Sequence, residues 1–220
     1  MLAIDLNTNI IPRLTLQDTI ARALELVTEH KVSHLPVVSG EKFLGLIAED
    51  DMLDASNRKI AIGQLQDDFL NVAVFETDHF LQAVNLSNEY QLSIVAIINE
   101  ERLLTGTVSI QSLLNAVGNF SGANGFGGLI VLEMERSQYA ISEISRIVES
   151  NDASVLHLNT SLQPESGMLT VTLHINKKEL AIIVASFERY DFKVVYYFGE
   201  EKFENEIHSN YQHLMNYLDI

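Results

Sequence analysis

Ser33-His34-Leu35-Pro36-Val37-Val38-Ser39-Gly40-Glu41-Lys42-Phe43-Leu44-Gly45-Leu46-Ile47-Ala48-Glu49-Asp50-Asp51-Met52-Leu53 is the stretch that decides the fold. Two apolar runs flank the polar turn Ser39-Gly40-Glu41-Lys42, the signature of a hairpin. Upstream, Ile20, Ala23, Leu24 and Val27 fall at i, i+3, i+4 and i+7, one face of an amphipathic helix. The same pattern returns 60 residues later: Asp18 falls on Asp78, Ala23 on Ala83, Glu29 on Glu89 and Ser33 on Ser93. The helical stripe falls on Phe80, Ala83, Val84 and Ser87, and LPVV (35–38) on VAII (95–98). One extra residue in the second turn, NEER (99–102), brings GLIAEDDMLDA (45–55) onto GTVSIQSLLNA (106–116). Gly45 then meets Gly106, and Leu53 meets Leu114. Thr15 with Asp18, and Thr77, read as helix start signals. Each copy is therefore helix, strand, turn, strand, helix. Two such copies pack face to face because neither buries its sheet alone.

Composition narrows the function. The chain has 220 residues, 47% of them apolar and none a cysteine, which excludes disulfides and thiolate metal sites. Lys and Arg number 14 against 30 Asp and Glu, a net charge of −16 that repels phosphate backbones and anionic lipid, so neither a nucleic-acid nor a membrane partner is expected. The opening MLAIDLNTNIIPRL has no basic segment followed by an apolar core, and no apolar run reaches the roughly 18–20 residues of a membrane span. A cytoplasmic location is the expectation.

The helix, then SHLPVV, a turn and FLGLIAEDDML, resembles a CBS domain, and the repeat resembles a tandem CBS pair (Bateman module). The resemblance implies CBS domain 1 over 1–60 and CBS domain 2 over 61–120, βαββα-type units in pseudo-twofold pairing, and clefts that take adenine nucleotides or S-adenosylmethionine. In this family a Thr/Ser-x-x-Asp element after the second strand holds ribose and phosphate. A carboxylate accepts two hydrogen bonds from a ribose diol, and a hydroxyl at a helix N-terminus helps hold phosphate. The first copy reads Ala48-Glu49-Asp50-Asp51: Asp51 matches the ribose-binding carboxylate, and Ala48 lacks the hydroxyl. The second reads Ser109-Ile110-Gln111-Ser112: Ser109 keeps the hydroxyl, and Ser112 replaces the carboxylate. The resemblance also places Ser33, His34 and Pro36 along the base pocket. In a reading without ligand, Glu49, Asp50 and Asp51 suit the positive end of a helix dipole, and their charge opposes a polyphosphate.

SGANGFGG (121–128) is a glycine-rich linker that lacks the GK[ST] of a phosphate loop and precedes a strand. Beyond it the pattern reads strand (129–134), helix (139–150), strand (154–159), strand (168–175), helix (179–190), strand (192–198), the βαββαβ order of a ferredoxin-like domain. Leu169, Val171, Leu173 and Ile175 alternate with Thr170, Thr172 and His174. Placed after a CBS pair, residues 129–200 resemble an ACT-type domain, and the module order resembles acetoin-utilisation-type CBS proteins. ACT domains often bind amino acids through an Asp-x-Pro-Gly loop. Here that loop reads Glu135-Arg136-Ser137-Gln138-Tyr139-Ala140, without the proline and with Tyr139 at the glycine position. Phe203, Ile207, Tyr211, Leu214 and Leu218 give the tail, 201–220, an amphipathic helical spacing.

The expected fold class is thus α+β: a tandem CBS pair followed by a ferredoxin-like ACT-type domain. No nucleophile elbow, Walker or kinase signature occurs, so the chain reads as non-catalytic. His30 and His34 are spaced H-x-x-x-H, but Leu35-Pro36 takes the second out of the helix, and no metal site is expected. His157 and His174 fall on polar strand positions, where solvated or hydrogen-bonded residues are expected. Three functions follow: a regulatory sensor binding an adenosine-containing ligand near Asp51, a scaffold whose ligand sites have decayed, or amino-acid sensing by the C-terminal domain. A homodimer is expected, because CBS pairs leave an apolar face that a second pair covers.

Overall fold

Both copies of the repeat build the same three-stranded sheet. The structure is a computed structural model and describes residues 1–8, 11–123 and 125–199. The first copy comprises β1 (Leu14–Thr15), α1 (Ile20–His30), β2 (His34–Ser39), β3 (Lys42–Ala48) and α2 (Glu49–Asp54). The second comprises β4 (Val74–Phe75), α3 (Phe80–Glu89), β5 (Ile94–Ile98), β6 (Leu104–Ser109) and α4 (Ile110–Phe120). The sheet orders are β1-β2-β3 and β4-β5-β6, each with one parallel and one antiparallel pair. Leu14 opposite Val37 recurs as Val74 opposite Ile97, and the irregularity at Val37/Val38 recurs at Ile97/Ile98.

The helices begin later than Thr15 and Thr77. Thr19 caps α1, its hydroxyl accepting from the Arg22 N–H, and His79 Nδ1 accepts from the Leu81 N–H before α3. Asp18 accepts from the N–H and hydroxyl of Thr15, and Asp78 accepts from the Phe75 N–H. These short carboxylate bonds tie the strand-to-helix turn, a use of Asp that competes with capping. The buried stripe of α1 is Ile20, Ala23, Leu26 and Val27, with Leu24 only half-buried.

The two copies are tied together by exchanged lead-in segments. Residues 1–8 precede the first copy and bond to the second: the Ala3 N–H donates to Asp78 O at 2.8 Å and the Thr8 N–H to Thr107 O at 3.2 Å. The Asn7 side chain donates to Thr105 O and accepts from the Thr107 N–H. In the same way, the segment leading into the second copy bonds to the first. Ile20 N–H donates to Ile60 O, and Leu46 and Leu70 exchange bonds of 2.9 and 2.8 Å. Each lead-in thereby satisfies backbone groups that an edge strand would expose. The aligned glycines are explained by this crossing. A Cβ on Gly45 would sit 2.8 Å from Phe69 Cβ and 3.1 Å from Leu70 O, and one on Gly106 would collide with the Asn7 amide. A side chain at either position would push the crossing segment off its edge, at a cost of about 1–3 kcal/mol.

One hydrophobic core joins the copies. It contains Leu35, Val37, Leu46 and Ile47 from the first and Ile94, Val95, Ile97 and Val108 from the second. The central strands β2 and β5 are buried along nearly their whole length, so they show unbroken apolar runs rather than alternation.

A second compact unit begins at Asn119. It contains β7 (Gly128–Met134), α5 (Ile141–Glu149), β8 (Val155–Leu162), β9 (Leu169–Ile175), α6 (Ala181–Arg189) and β10 (Lys193–Phe198). Its antiparallel sheet runs β10-β7-β9-β8. Ile130, Leu132, Leu169, Val171, Leu173 and Ile175 meet Ile144, Ile147, Ile183 and Phe187 in one core. His174, on the other face and opposite His157, is buried rather than solvated: Gly122 and Gly125 lie against its ring so closely that a Cβ on either would come within 3.0 Å. The glycine-rich segment is therefore packed on the sheet, with Gly122 at φ +69° and Gly127 at φ +145°. The tail helix over 201–220 lies outside the described residues.

Candidate functional site

The copies meet where β2 and β5 begin. Ser93, the repeat partner of Ser33, accepts from the Ser33 N–H through Oγ at 2.9 Å. The Ser93 N–H donates to His34 Nδ1 at 3.3 Å, and Ser93 Oγ lies 3.2 Å from the same nitrogen. Nδ1 therefore acts as an acceptor, and the neutral ring carries its proton on Nε2. Burial pushes the His34 pKa below the ordinary imidazole value of 6.5, against the smaller opposing pull of Asp51 and then Asp50.

On the second-copy side, Ser109 stands just before α4, and its Oγ accepts from the Ser112 N–H at 3.2 Å, the bonding of an N-cap. The two hydroxyls are 3.0 Å apart. Both open into a cavity of about 380 Å³. Ser93, Ile110 and Gln111 complete that side; Thr8 and Ile11 come from the crossing lead-in, and His30, Lys31 and Val32 from the end of α1 and the chain entering β2. The volume falls in the range of roughly 300–1,000 Å³ typical of small-molecule sites.

Of the six residues singled out from sequence, Ser109 and Ser112 line this cavity, whereas Ser33, His34, Pro36 and Asp51 do not. His34 and Pro36 are buried in β2. Asp51 is half-buried on the first turn of α2 beside Glu49 and Asp50, after an Ala48 that offers no side-chain cap. Ser93 and Lys31 escaped the sequence reading although the repeat marks the first. Thr8 and Ile11 reach the site only through the exchange of lead-ins, which no local pattern announces.

A depression of about 590 Å³ in the second unit lies at the Glu135–Ala140 loop. Glu133, Glu135, Glu143 and Asp191 line it, with Lys193 paired to Glu133. That acidic wall repels the carboxylate of a free amino acid. His30 ends α1 while His34 opens β2, with a left-handed Lys31 between them. Among the described residues no group of three His, Asp or Glu could hold a metal ion, and no helix is long and apolar enough to cross a membrane.

Residues 4–58 match the model of the CBS domain family. No curated protein matches the chain. A CBS domain pair/ACT domain protein from Thermotoga maritima superposes with a TM-score of 0.50 and 21% identity, over 55% of this chain and 98% of that one. The CBS domains of a transcriptional regulator from Streptococcus pneumoniae give 0.47 and 16%, over 52% and 98%. A CBS domain pair in complex with 5′-methylthioadenosine and S-adenosyl-L-methionine gives 0.46 and 21%, over 54% and 100%. The fold is α+β, and the likeness to the Thermotoga protein is that of a CBS domain pair.

Because the folded His34 pKa lies below its unfolded value, its contribution to stability is present above pH 6.5 and is lost as pH falls through the folded pKa. Urea midpoints are expected to drop between neutral pH and pH 5. A His34→Gln variant should flatten that slope by up to about 1.4 kcal/mol per pH unit. An identical slope in the variant would contradict the assignment.

Proposed function

We propose that the first unit is a non-catalytic regulatory sensor that takes an adenosine-containing ligand, of the AMP, ATP or S-adenosylmethionine type, in the seam cavity lined by Ser109 and Ser112. The observation that carries this reading is the cavity itself: paired hydroxyls at a helix start, inside a fold whose first repeat matches the CBS family. Ser109 and Ser112 can hydrogen-bond a ribose or a phosphate, while Ile11, Val32 and Ile110 provide apolar surface for a base. The carboxylates Glu49, Asp50 and Asp51 make the first-copy element the weaker candidate for any phosphate-bearing ligand. A ligand here acts by favouring one arrangement of the copies or protomers over another.

We further read the second unit as a ferredoxin-like, ACT-type module, supported by its βαββαβ order and its β10-β7-β9-β8 sheet. We also propose a homodimer. The repeat partners Leu53 and Leu114 are 47% and 62% exposed, so each copy presents the same apolar spot, and a second protomer would cover both.

Ligand binding is tested by thermal shift and calorimetry with AMP, ATP and S-adenosylmethionine. A saturating ligand should stabilise the protein by about 2.7 kcal/mol at a hundredfold excess over Kd. Gln111→Trp, at an exposed position on the cavity wall, should abolish the effect, and Asp51→Ala should leave it. Loss in Asp51→Ala alone would move the ligand to the first copy. Silence toward all three at millimolar concentration would leave a scaffold with decayed sites. For the assembly, light scattering at micromolar concentration should show a dimer that Leu114→Glu dissociates; a monomeric parent protein would contradict it.

A further inference from the structure

We infer that Lys31 is a charge selector, making the seam cavity prefer an anionic, phosphate-bearing ligand over a neutral or cationic adenosyl compound; the inference rests on the reading of that cavity as the ligand site. In a chain with 30 acidic residues against 14 basic ones, no Asp or Glu among the described residues lines this cavity, while Lys31 and His30 do. An adjoining depression of about 280 Å³ shares Ile11 with it, adds Arg13, and again has no acidic residue among the described residues that line it.

The repeat supplies an internal comparison. Lys31 and its partner Gln91 both follow a first-helix end in the left-handed conformation, at φ 54° and 51°, so the backbone holds the two side chains in equivalent places. The element opposite Lys31 is Ser109-Ile110-Gln111-Ser112, and the element at the equivalent place in the first copy is Ala48-Glu49-Asp50-Asp51. Lys31 therefore gives its side of the seam a formal charge of +1. The pseudo-equivalent element in the first copy carries three carboxylates, Glu49, Asp50 and Asp51, and the residue matching Lys31 is the uncharged Gln91. The two duplicated elements thus differ in charge. The Lys31 cleft can stabilise a phosphate. There the ammonium adds a charge-assisted hydrogen bond to the neutral ones from Ser109 and Ser112. The carboxylates of the first-copy element, Glu49, Asp50 and Asp51, repel anions.

Calorimetry with AMP, adenosine and S-adenosylmethionine on the full chain tests this. AMP should bind with a stoichiometry of one per chain, roughly ten-fold tighter than adenosine, the size of one charge-assisted bond. That advantage should shrink as salt is raised. Lys31→Gln, which installs the residue the second copy already has, should bring AMP to the affinity of adenosine and leave adenosine unchanged. Lys31→Arg should restore the gap. Equal binding of AMP and adenosine by the parent protein, or a gap that survives Lys31→Gln, would overturn the selector role while leaving the cavity as an adenosine site. Failure of all three compounds to bind would overturn both readings.

Discussion

The exchange of lead-in segments is the constraint on which the first unit depends. A three-stranded sheet with a two-residue parallel edge cannot bury both faces of its central strand. β2 and β5 are nonetheless covered along nearly their whole length, because each copy supplies the wall and the edge partner of the other. Each fully buried Leu, Ile or Val contributes roughly 1.5–3 kcal/mol, so the shared core dominates the individual backbone bonds, each worth about 1 kcal/mol. Those bonds have a different role: they fix the register. Leu46 with Leu70, and Thr8 with Thr107, pin each lead-in against one strand, and Gly45 and Gly106 leave the room to do so.

The cavity follows from the same constraint. Where the lead-in carrying Thr8 and Ile11 passes the second copy, it leaves a gap above the start of α4, walled on the far side by the end of α1. A ligand filling that gap touches both copies at once, which gives it leverage over their relative arrangement. The duplicated elements differ in charge: Glu49, Asp50 and Asp51 open α2, whereas Ser109 and Ser112 stand at the start of α4.

The duplication was legible because period and spacing survive in the residues themselves. Asp18 and Asp78, Ser33 and Ser93, and Gly45 and Gly106 mark it, and the apolar runs beside the polar turns 39–42 and 99–102 marked the two hairpins. The alternation in Leu169–Ile175 placed β9 and its inner face correctly. Two things were hidden. Asp18 looked like part of a helix start, yet its carboxylate ties the turn before it, since a short polar side chain serves either geometry. The cavity walls come from residues up to about a hundred positions apart, brought together by lead-ins whose sequence carries no periodic signal. His174 read as an outward strand residue because alternation reports which face a residue occupies and not what lies over that face.

Native-state hydrogen exchange on the full chain tests the central claim most directly. If the copies hold each other, the amides of Leu46 and Leu70 and those along β2 and β5 share a single opening free energy, equal to that of unfolding the first unit. Slow exchange of β2 and β3 amides persisting while β5 and β6 amides exchange through a lower-energy opening would show that one copy stands alone, and would contradict the account.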